Sequence, residues 1–226
     1  MSRMLKTAVS VLLAIILSAC GISSSNETAS VVPSESESIV SVESDVPGEI
    51  SEKEREDDND ILVAYFSRTG ENYDVGVIEK GNTAIVAEII AAQTGGELFE
   101  IKTVNAYPEN YEECTEIAQS EKSEKARPEL AESIDNLDSY DTIYLGYPIW
   151  WGDMPMAVYT FLESNDFAGK TIISFCTHAG SGLSGTVENI STACPGATVK
   201  TGLAIAGTTA QNDKAVAEQS VTEWLK

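Results

Sequence analysis

Five short segments beyond position 60 have the apolar pattern of strands. The first, 61–66, is a continuous apolar run, as expected of a strand buried on both faces of a parallel sheet. All five are rich in the β-branched and aromatic residues that strands favour. The pattern predicts five strands, at 61–66, 98–101, 142–147, 171–176 and 199–205.

The segments between the strands have helical spacing. Apolar residues within 85–90 lie on one face of a helix that Asn82 or Thr83 can cap and that Gly95–Gly96 ends. Asp153, two residues before Pro155, predicts another N-cap. Further helices are predicted at 111–125, 153–162, 184–190 and 217–225. Alternating strands and helices indicate an α/β class with a mostly parallel, doubly wound sheet.

The beginning of the chain has a different pattern. Arg3 and Lys6 precede an apolar run at 8–19, which is shorter than the roughly 20 residues that span a bilayer but suits a signal peptide. The run ends in Leu17-Ser-Ala-Cys-Gly21, which resembles the bacterial lipobox. We therefore expect residues 1–20 to be a lipoprotein signal peptide whose Cys20 becomes lipidated. In the alternative, a plain secretory signal, Cys20 is incidental.

Charge divides the rest of the chain. The net charge is −22, and residues 21–60 carry −10 of it in a stretch rich in Ser and Glu that has no aromatic residue. Such a segment buries too little apolar surface to fold, so it is predicted to be a disordered tether. Residues 61–226 carry −14 and have the length of one domain.

Composition excludes several classes of function. So acidic a chain is unsuited to nucleic acid, whose phosphates are bound through Lys and Arg. A single His excludes sites that need two His ligands, and the four Cys form no C-x-x-C pair that would support a zinc or iron–sulfur site.

Three loops at predicted carboxyl ends of strands are candidates for the site, because ligands of doubly wound sheets bind there. Ser67-Arg68-Thr69-Gly70 offers hydroxyls and backbone N–H groups that suit a phosphate. Pro148-Ile149-Trp150-Trp151-Gly152 places two Trp where a planar ring could pack, although one of them could instead fill the core. In Thr177–Gly182, small residues allow a close backbone approach, and His178 is either functional or an ordinary capping histidine.

Together these motifs resemble the flavodoxin family. The resemblance covers 61–226 and is most specific in 61–70, 146–152 and 174–182. It implies a flavodoxin-like five-stranded parallel sheet of order 2-1-3-4-5, with helices on both faces, and non-covalently bound FMN. It also implies a set of cofactor-binding residues: Ser67, Arg68, Thr69, Asn82, Thr83, Pro148, Ile149, Trp150, Trp151, Gly152, Thr177, His178, Gly180, Ser181 and Gly182.

The phosphate loop departs from the family pattern. Gly81-Asn82-Thr83 matches the usual ending of that loop, but an insertion at 71–80 displaces it, so that Gly70-Glu71-Asn72 competes for the same role. The third loop also lacks the second aromatic residue that often stacks on the flavin, which would leave one ring face open to a small, quinone-like acceptor.

The resemblance predicts an FMN-dependent oxidoreductase or electron-transfer protein, anchored by lipid to the outer face of the cell membrane. The acidic domain favours a protein redox partner with a basic face. The alternative is a non-catalytic extracytoplasmic binding lipoprotein that uses the same fold. The cysteines other than Cys20 could be buried thiols, or Cys176 and Cys194 could form a disulfide.

Overall fold

The computed structural model describes residues 60–226. The predicted signal peptide, the lipidation site Cys20 and all of the tether except Asp60 lie outside the described residues. None of the helices within 60–226 is long and apolar enough to span a membrane.

Five parallel strands form the main sheet. They are β1 (Ile61–Tyr65), β4 (Glu97–Glu100), β5 (Thr142–Pro148), β6 (Thr171–His178) and β7 (Thr198–Ala206). Their spatial order is β4-β1-β5-β6-β7, which is 2-1-3-4-5 when the five are counted along the chain. The predicted fold class and strand order are confirmed, and the order reverses between β1 and β5.

Helices cover both faces of the sheet. They are α1 (Asn82–Thr94), α2 (Tyr111–Glu124), α3 (Met156–Glu163), α4 (Thr186–Ala193), α5 (Gly207–Asn212) and α6 (Lys214–Trp224), with a 3₁₀ turn at Leu137–Ser139. Alternate residues of β1 explain why two layers form. Leu62 and Ala64 belong to the core cluster that contains α3 and α4, whereas Val63 and Tyr65 belong to the cluster that contains α1 and α6.

Several helix boundaries differ from the predictions. Gly81, not Asn82 or Thr83, is the N-cap of α1, although Gly95 ends this helix in the left-handed conformation, as expected. Pro155 is the N-cap of α3, so the prediction that Asp153 caps it was wrong. The Asp153 carboxylate instead accepts the Met154 N–H at 2.8 Å, and its backbone pairs with Trp150. Helix α5 had not been predicted.

The insertion at 71–80, expected to be a polar loop, contains an antiparallel hairpin of β2 (Gly70–Asn72) and β3 (Gly76–Ile78). Its turn contains Asp74 at φ 61° and Gly76 at φ 72°. These left-handed conformations suit Asp and Gly and reverse the chain within a few residues. The hairpin lies between β1 and α1 in the chain and forms a two-stranded sheet of its own.

Candidate cofactor site at the switch point

A cleft of about 550 Å³ lies at the carboxyl ends of the central strands. It brings together nine of the predicted site residues: Arg68, Asn82, Pro148, Ile149, Trp150, Trp151, Thr177, His178 and Gly180. The other six lie beside these in the same loops and are not part of the wall: Ser67, Thr69, Thr83, Gly152, Ser181 and Gly182. All three predicted loops therefore contribute to one cavity.

The first loop packs tightly against the beginning of α1. The Ser67 hydroxyl accepts a hydrogen bond from the Ala84 N–H at 3.0 Å. The N-cap of α1, Gly81, has no side chain that could accept from the first turn, so Ser67 takes over this capping role. A Cβ on Gly81 would lie 2.6 Å from the Arg68 carbonyl oxygen. Only glycine allows this approach, so Gly81-Asn82-Thr83 begins α1 directly beside the loop, while Gly70-Glu71-Asn72 forms β2 of the hairpin.

Arg68 contacts the backbone rather than open space. Its guanidinium donates to the carbonyl oxygens of Glu71 at 2.6 Å, Pro108 at 2.8 and 3.0 Å, Glu109 at 2.7 Å and Asn110 at 3.3 Å. Arg68 thus joins the first loop to the segment preceding α2. Each guanidinium nitrogen donates to a carbonyl oxygen, so Arg68 shapes the cleft, and its positive charge remains on the cleft wall.

A pair of threonines joins the first and third loops. The hydroxyls of Thr83 in α1 and Thr177 in β6 lie 2.8 Å apart, and both side chains are buried. The adjacent Asn82 carries a buried side-chain oxygen, Oδ1, that has no hydrogen-bond partner among the described residues. Buried polar atoms are rarely left unpaired, so this oxygen on the cleft wall points to a ligand that donates a hydrogen bond.

The two tryptophans of the second loop have different surroundings. Trp150 packs edge-on against Phe66 and Tyr107, with ring centroids 5.3 and 5.1 Å away. Trp151 is 52% exposed, and its indole N–H donates to the Thr115 carbonyl oxygen at 3.1 Å. Trp150 is therefore the one that packs toward the core, while Trp151 presents its ring at the cleft mouth.

The backbone at Trp151 is strained. Its φ is 53°, a left-handed conformation that an aromatic residue rarely adopts. The ammonium group of Lys122 on α2 donates to the Trp151 carbonyl oxygen at 2.6 Å. Contacts with α2 thus hold the loop in a conformation that costs energy, as is common at binding sites.

His178 shapes the third loop. Its Nδ1 accepts the Gly180 N–H at 2.8 Å, so the proton of the neutral ring resides on Nε2. Burial lowers the pKa of His178, which favours this neutral form. Gly180 at φ 110° and Gly182 at φ 58° allow the tight path of the loop, and the Gly182 carbonyl oxygen accepts from the Cys176 thiol at 3.4 Å.

Nine cleft residues were not predicted from the sequence: Tyr73 and Asp74 of the hairpin, Tyr111, Cys114, Thr115 and Ala118 of α2, and Ala206, Gly207 and Thr208 at the end of β7 and directly after it. Asn72 and Ala179 also line the cleft and lie in the predicted loop segments 70–72 and 177–182. The two tyrosines in otherwise polar segments were the available signal. Gly207 packs against the Asn82 amide, where a Cβ would lie 2.5 Å from Nδ2.

The three cysteines of the described region are buried free thiols, Cys114, Cys176 and Cys194. The disulfide considered between Cys176 and Cys194 is therefore not formed. Burial raises the pKa of Cys176 to about 12 and that of Cys194 to about 11. It also raises the pKa of Cys114, which the nearby Arg68 partly offsets. All three are protonated at neutral pH.

Sheet order and cleft together define a doubly wound α/β protein with its site at the switch point. Residues 60–225 match the family model for flavodoxin, so the chain belongs to the flavodoxin family. No curated protein matches the chain.

Solved structures have the same fold. A candidate flavoprotein from Bacteroides uniformis is 32% identical, with a TM-score of 0.58, over 72% of this chain and 97% of that one. Another, from Bacteroides eggerthii, is 27% identical, with a TM-score of 0.56, over 74% and 98%. A flavoprotein from Lactobacillus acidophilus, solved in complex with FMN, is 23% identical, with a TM-score of 0.52, over 74% and 98%.

Proposed function

We propose that the protein is an FMN-binding oxidoreductase or electron-transfer protein whose cofactor occupies the cleft. The observation that carries this proposal is the meeting of three loops of suitable chemistry at the switch point of a flavodoxin-family sheet. When bound, FMN supplies reversible one- and two-electron transfer, and the protein supplies binding, orientation and electrostatics.

The residues of the cleft fit FMN. The Thr69 hydroxyl and the first-turn N–H groups of α1 would hold the phosphate, because helix N-termini favour anions. Asn82 Oδ1 would accept a hydrogen bond from a ribityl hydroxyl, which would satisfy the unpaired atom. Residues 148–151 and 177–180 would flank the ring, with aromatic and apolar surface on one side and a close backbone on the other.

Charge limits how the phosphate is held. Residues 61–226 carry a net charge of −14, and Arg68 already donates to backbone carbonyl groups. Neutral donors must therefore do most of the binding, as they do in other phosphate-binding loops.

The N-terminal segment supports a location for this function. The lipobox-like sequence before Cys20 favours a protein attached by lipid to the outer face of the cell membrane, with residues 21–60 as its spacer. The expected result is that Cys20→Ala moves the protein from the membrane fraction to the soluble fraction. Unchanged membrane retention would contradict the anchor.

Two kinds of partner suit the domain. Its acidic surface favours a redox protein with a basic face, whose approach such a field accelerates. A small quinone-like acceptor suits the open, aromatic mouth of the cleft. The first would be the natural electron donor and the second an acceptor.

The test of cofactor binding is a titration of FMN fluorescence with the purified full chain. We expect stoichiometric quenching and a bound flavin that dithionite reduces, which would count against the non-catalytic alternative. Asn82→Ala should raise the Kd for FMN up to about tenfold, because one hydrogen bond contributes roughly 0.5–1.5 kcal/mol. Asn105→Ala is the matched control, since Asn105 is exposed and not on the cleft wall. Free-flavin fluorescence at equimolar mixing would refute the proposal.

A further inference from the structure

A half-buried tyrosine and a half-buried glutamate lie next to the cleft wall and take no part in the proposed cofactor binding. We propose that Trp150, Tyr107 and Glu121 form an electron and proton relay, in which Tyr107 is a redox-active tyrosine and Glu121 is its proton acceptor. The inference rests on the proposed FMN site, because the bound, oxidised flavin becomes the oxidant when light excites it. It adds a redox function for two residues outside that site.

Trp150 connects the cleft to Tyr107. It lines the cleft, and its ring packs edge-on against the Tyr107 ring, with the centroids 5.1 Å apart. Indole and phenol are the aromatic side-chain groups that lose an electron most readily. The phenyl ring of Phe66, which also packs against Trp150, resists oxidation. An electron can therefore pass from Tyr107 to an oxidised Trp150 across a direct ring contact.

Tyr107 has a proton acceptor in place. Its hydroxyl donates to a Glu121 carboxylate oxygen at 2.7 Å. Loss of an electron makes a phenol strongly acidic, so an oxidised tyrosine is stabilised when a neighbouring base takes its proton. Burial and the Glu121 carboxylate raise the pKa of Tyr107, so the phenol keeps its proton until the ring is oxidised.

A carboxylate is unfavourable at this position if its role is only structural. Burial raises the pKa of Glu121, and the hydrogen bond from Tyr107 only partly offsets this effect. Within residues 60–226, no lysine or arginine forms an ion pair with Glu121. A glutamine could accept the same hydrogen bond without placing a charge in a half-buried site. The capacity of a carboxylate to take up a proton explains the choice of glutamate.

The other aromatic residues of the cleft do not have this combination of contacts. The rings of Tyr73 and Tyr111 lie 6.0 Å apart and are exposed. Neither hydroxyl donates to a carboxylate within the described part of the chain. Trp151 packs against no aromatic ring of residues 60–226, and its indole N–H donates to a backbone carbonyl group. A Trp–Tyr–carboxylate series therefore begins at Trp150.

The electrons and protons of the relay balance. Trp150 gives one electron to the excited, oxidised flavin. Tyr107 then gives one electron to Trp150, and its phenolic proton passes to the Glu121 carboxylate. The flavin has gained one electron, Tyr107 has become a neutral tyrosyl radical, and Trp150 is restored. When the electron returns from the flavin to Tyr107, Glu121 returns the proton. The relay thus moves the oxidising equivalent away from the residues that bind the flavin ring.

The test is laser flash photolysis of the FMN-loaded full chain under blue light. Tryptophan and tyrosyl radicals have distinct absorption bands, so transient absorption follows each of them. We expect the tryptophan radical to decay while the tyrosyl radical appears. Because a proton moves in this step, the tyrosyl radical should form more slowly in D₂O than in H₂O.

Variants assign the radical and the proton transfer to residues. Tyr107→Phe should abolish the tyrosyl signal and leave the tryptophan radical to recombine with the flavin. Glu121→Gln keeps a hydrogen-bond acceptor but removes the base, and it should slow tyrosyl formation at least about tenfold, since a positioned base contributes roughly 10²–10⁴-fold. Tyr140→Phe is the matched control, because Tyr140 also donates to a carboxylate, that of Glu97, but lies before β5 at the opposite end of the sheet.

FMN affinity is measured separately for every variant, so that radical yields are compared at equal FMN occupancy. The inference would be overturned, while the FMN site stands, by any of three results: no tyrosyl radical in the unmodified chain, a tyrosyl signal that persists in Tyr107→Phe, or an unchanged rate in Glu121→Gln. Failure of the unmodified chain to bind FMN would instead overturn the proposed function.

Discussion

The Thr83–Thr177 hydrogen bond offers a sharp test of how the site is held together. It joins the first turn of α1 to the end of β6 through two hydroxyls 2.8 Å apart. Thr83 and Thr177 are only 1% and 3% exposed, so water replaces a lost partner poorly. The perturbation is replacement of either threonine by valine, which has nearly the same shape and lacks the hydroxyl.

Each single substitution leaves a buried hydroxyl unpaired, which costs about 1–3 kcal/mol. For a domain of this size, that loss corresponds to a decrease in Tm of roughly 2–12 °C. Replacing both threonines removes both hydroxyls together, and such a change can be nearly neutral. We therefore expect the double variant to be more stable than either single variant.

The assay is urea unfolding of the cofactor-free full chain, followed by circular dichroism and analysed as a double-mutant cycle. Because a nearly neutral double variant cancels both single losses, the expected coupling free energy is about 2–6 kcal/mol. Additive losses, or single losses below about 0.5 kcal/mol, would refute the reasoning. Either result would mean that the first and third loops are positioned independently of this contact.

Three further predictions concern the core, the histidine and the thiols. Gly146→Ala should cost about 1–3 kcal/mol in urea unfolding, because its Cβ would overlap the Phe175 ring, whereas Gly185→Ala, with open space around it, should be nearly neutral. His178, the only histidine, should titrate in an NMR experiment below its usual pKa of 6.5. Because the unfolded state then takes up the proton first, stability is lost as pH falls below about 6.5, and His178→Gln should reduce that loss. In a Cys20→Ser chain, the three buried cysteines should react with a thiol reagent only after denaturation, and fast reaction of the native protein would contradict their burial.

The main sheet was predictable because its central strands, β1, β5 and β6, are buried on both faces. A run such as 61–66 has no polar alternative face, so its class follows from composition alone. The hairpin was not predictable in the same way. Its strands have three residues each, too few to show alternation, and its stability depends on contacts with Glu109 and Asn110, about 40 residues away.

The three loops of the site were predictable, because their position at strand ends and their residue types can be read from the sequence. Trp150 and Trp151 were expected together in a loop. Only the structure shows that Trp150 is the one that packs against Phe66 and Tyr107. A phosphate role for Arg68 followed from its place in the motif. The sequence contains no sign that four distant or local carbonyl groups already accept its hydrogen bonds.

The hydrogen bonds of Arg68 affect when the first loop becomes ordered, during folding or on ligand binding. A loop whose shape is fixed by internal hydrogen bonds loses its conformational freedom during folding, not when a ligand arrives. The binding site is then preorganised, and ligand binding does not have to offset the entropic cost of ordering the loop. Under the export proposed above, the chain would fold outside the membrane and collect its flavin afterwards from a dilute pool, and a loop that is already ordered would help it to do so.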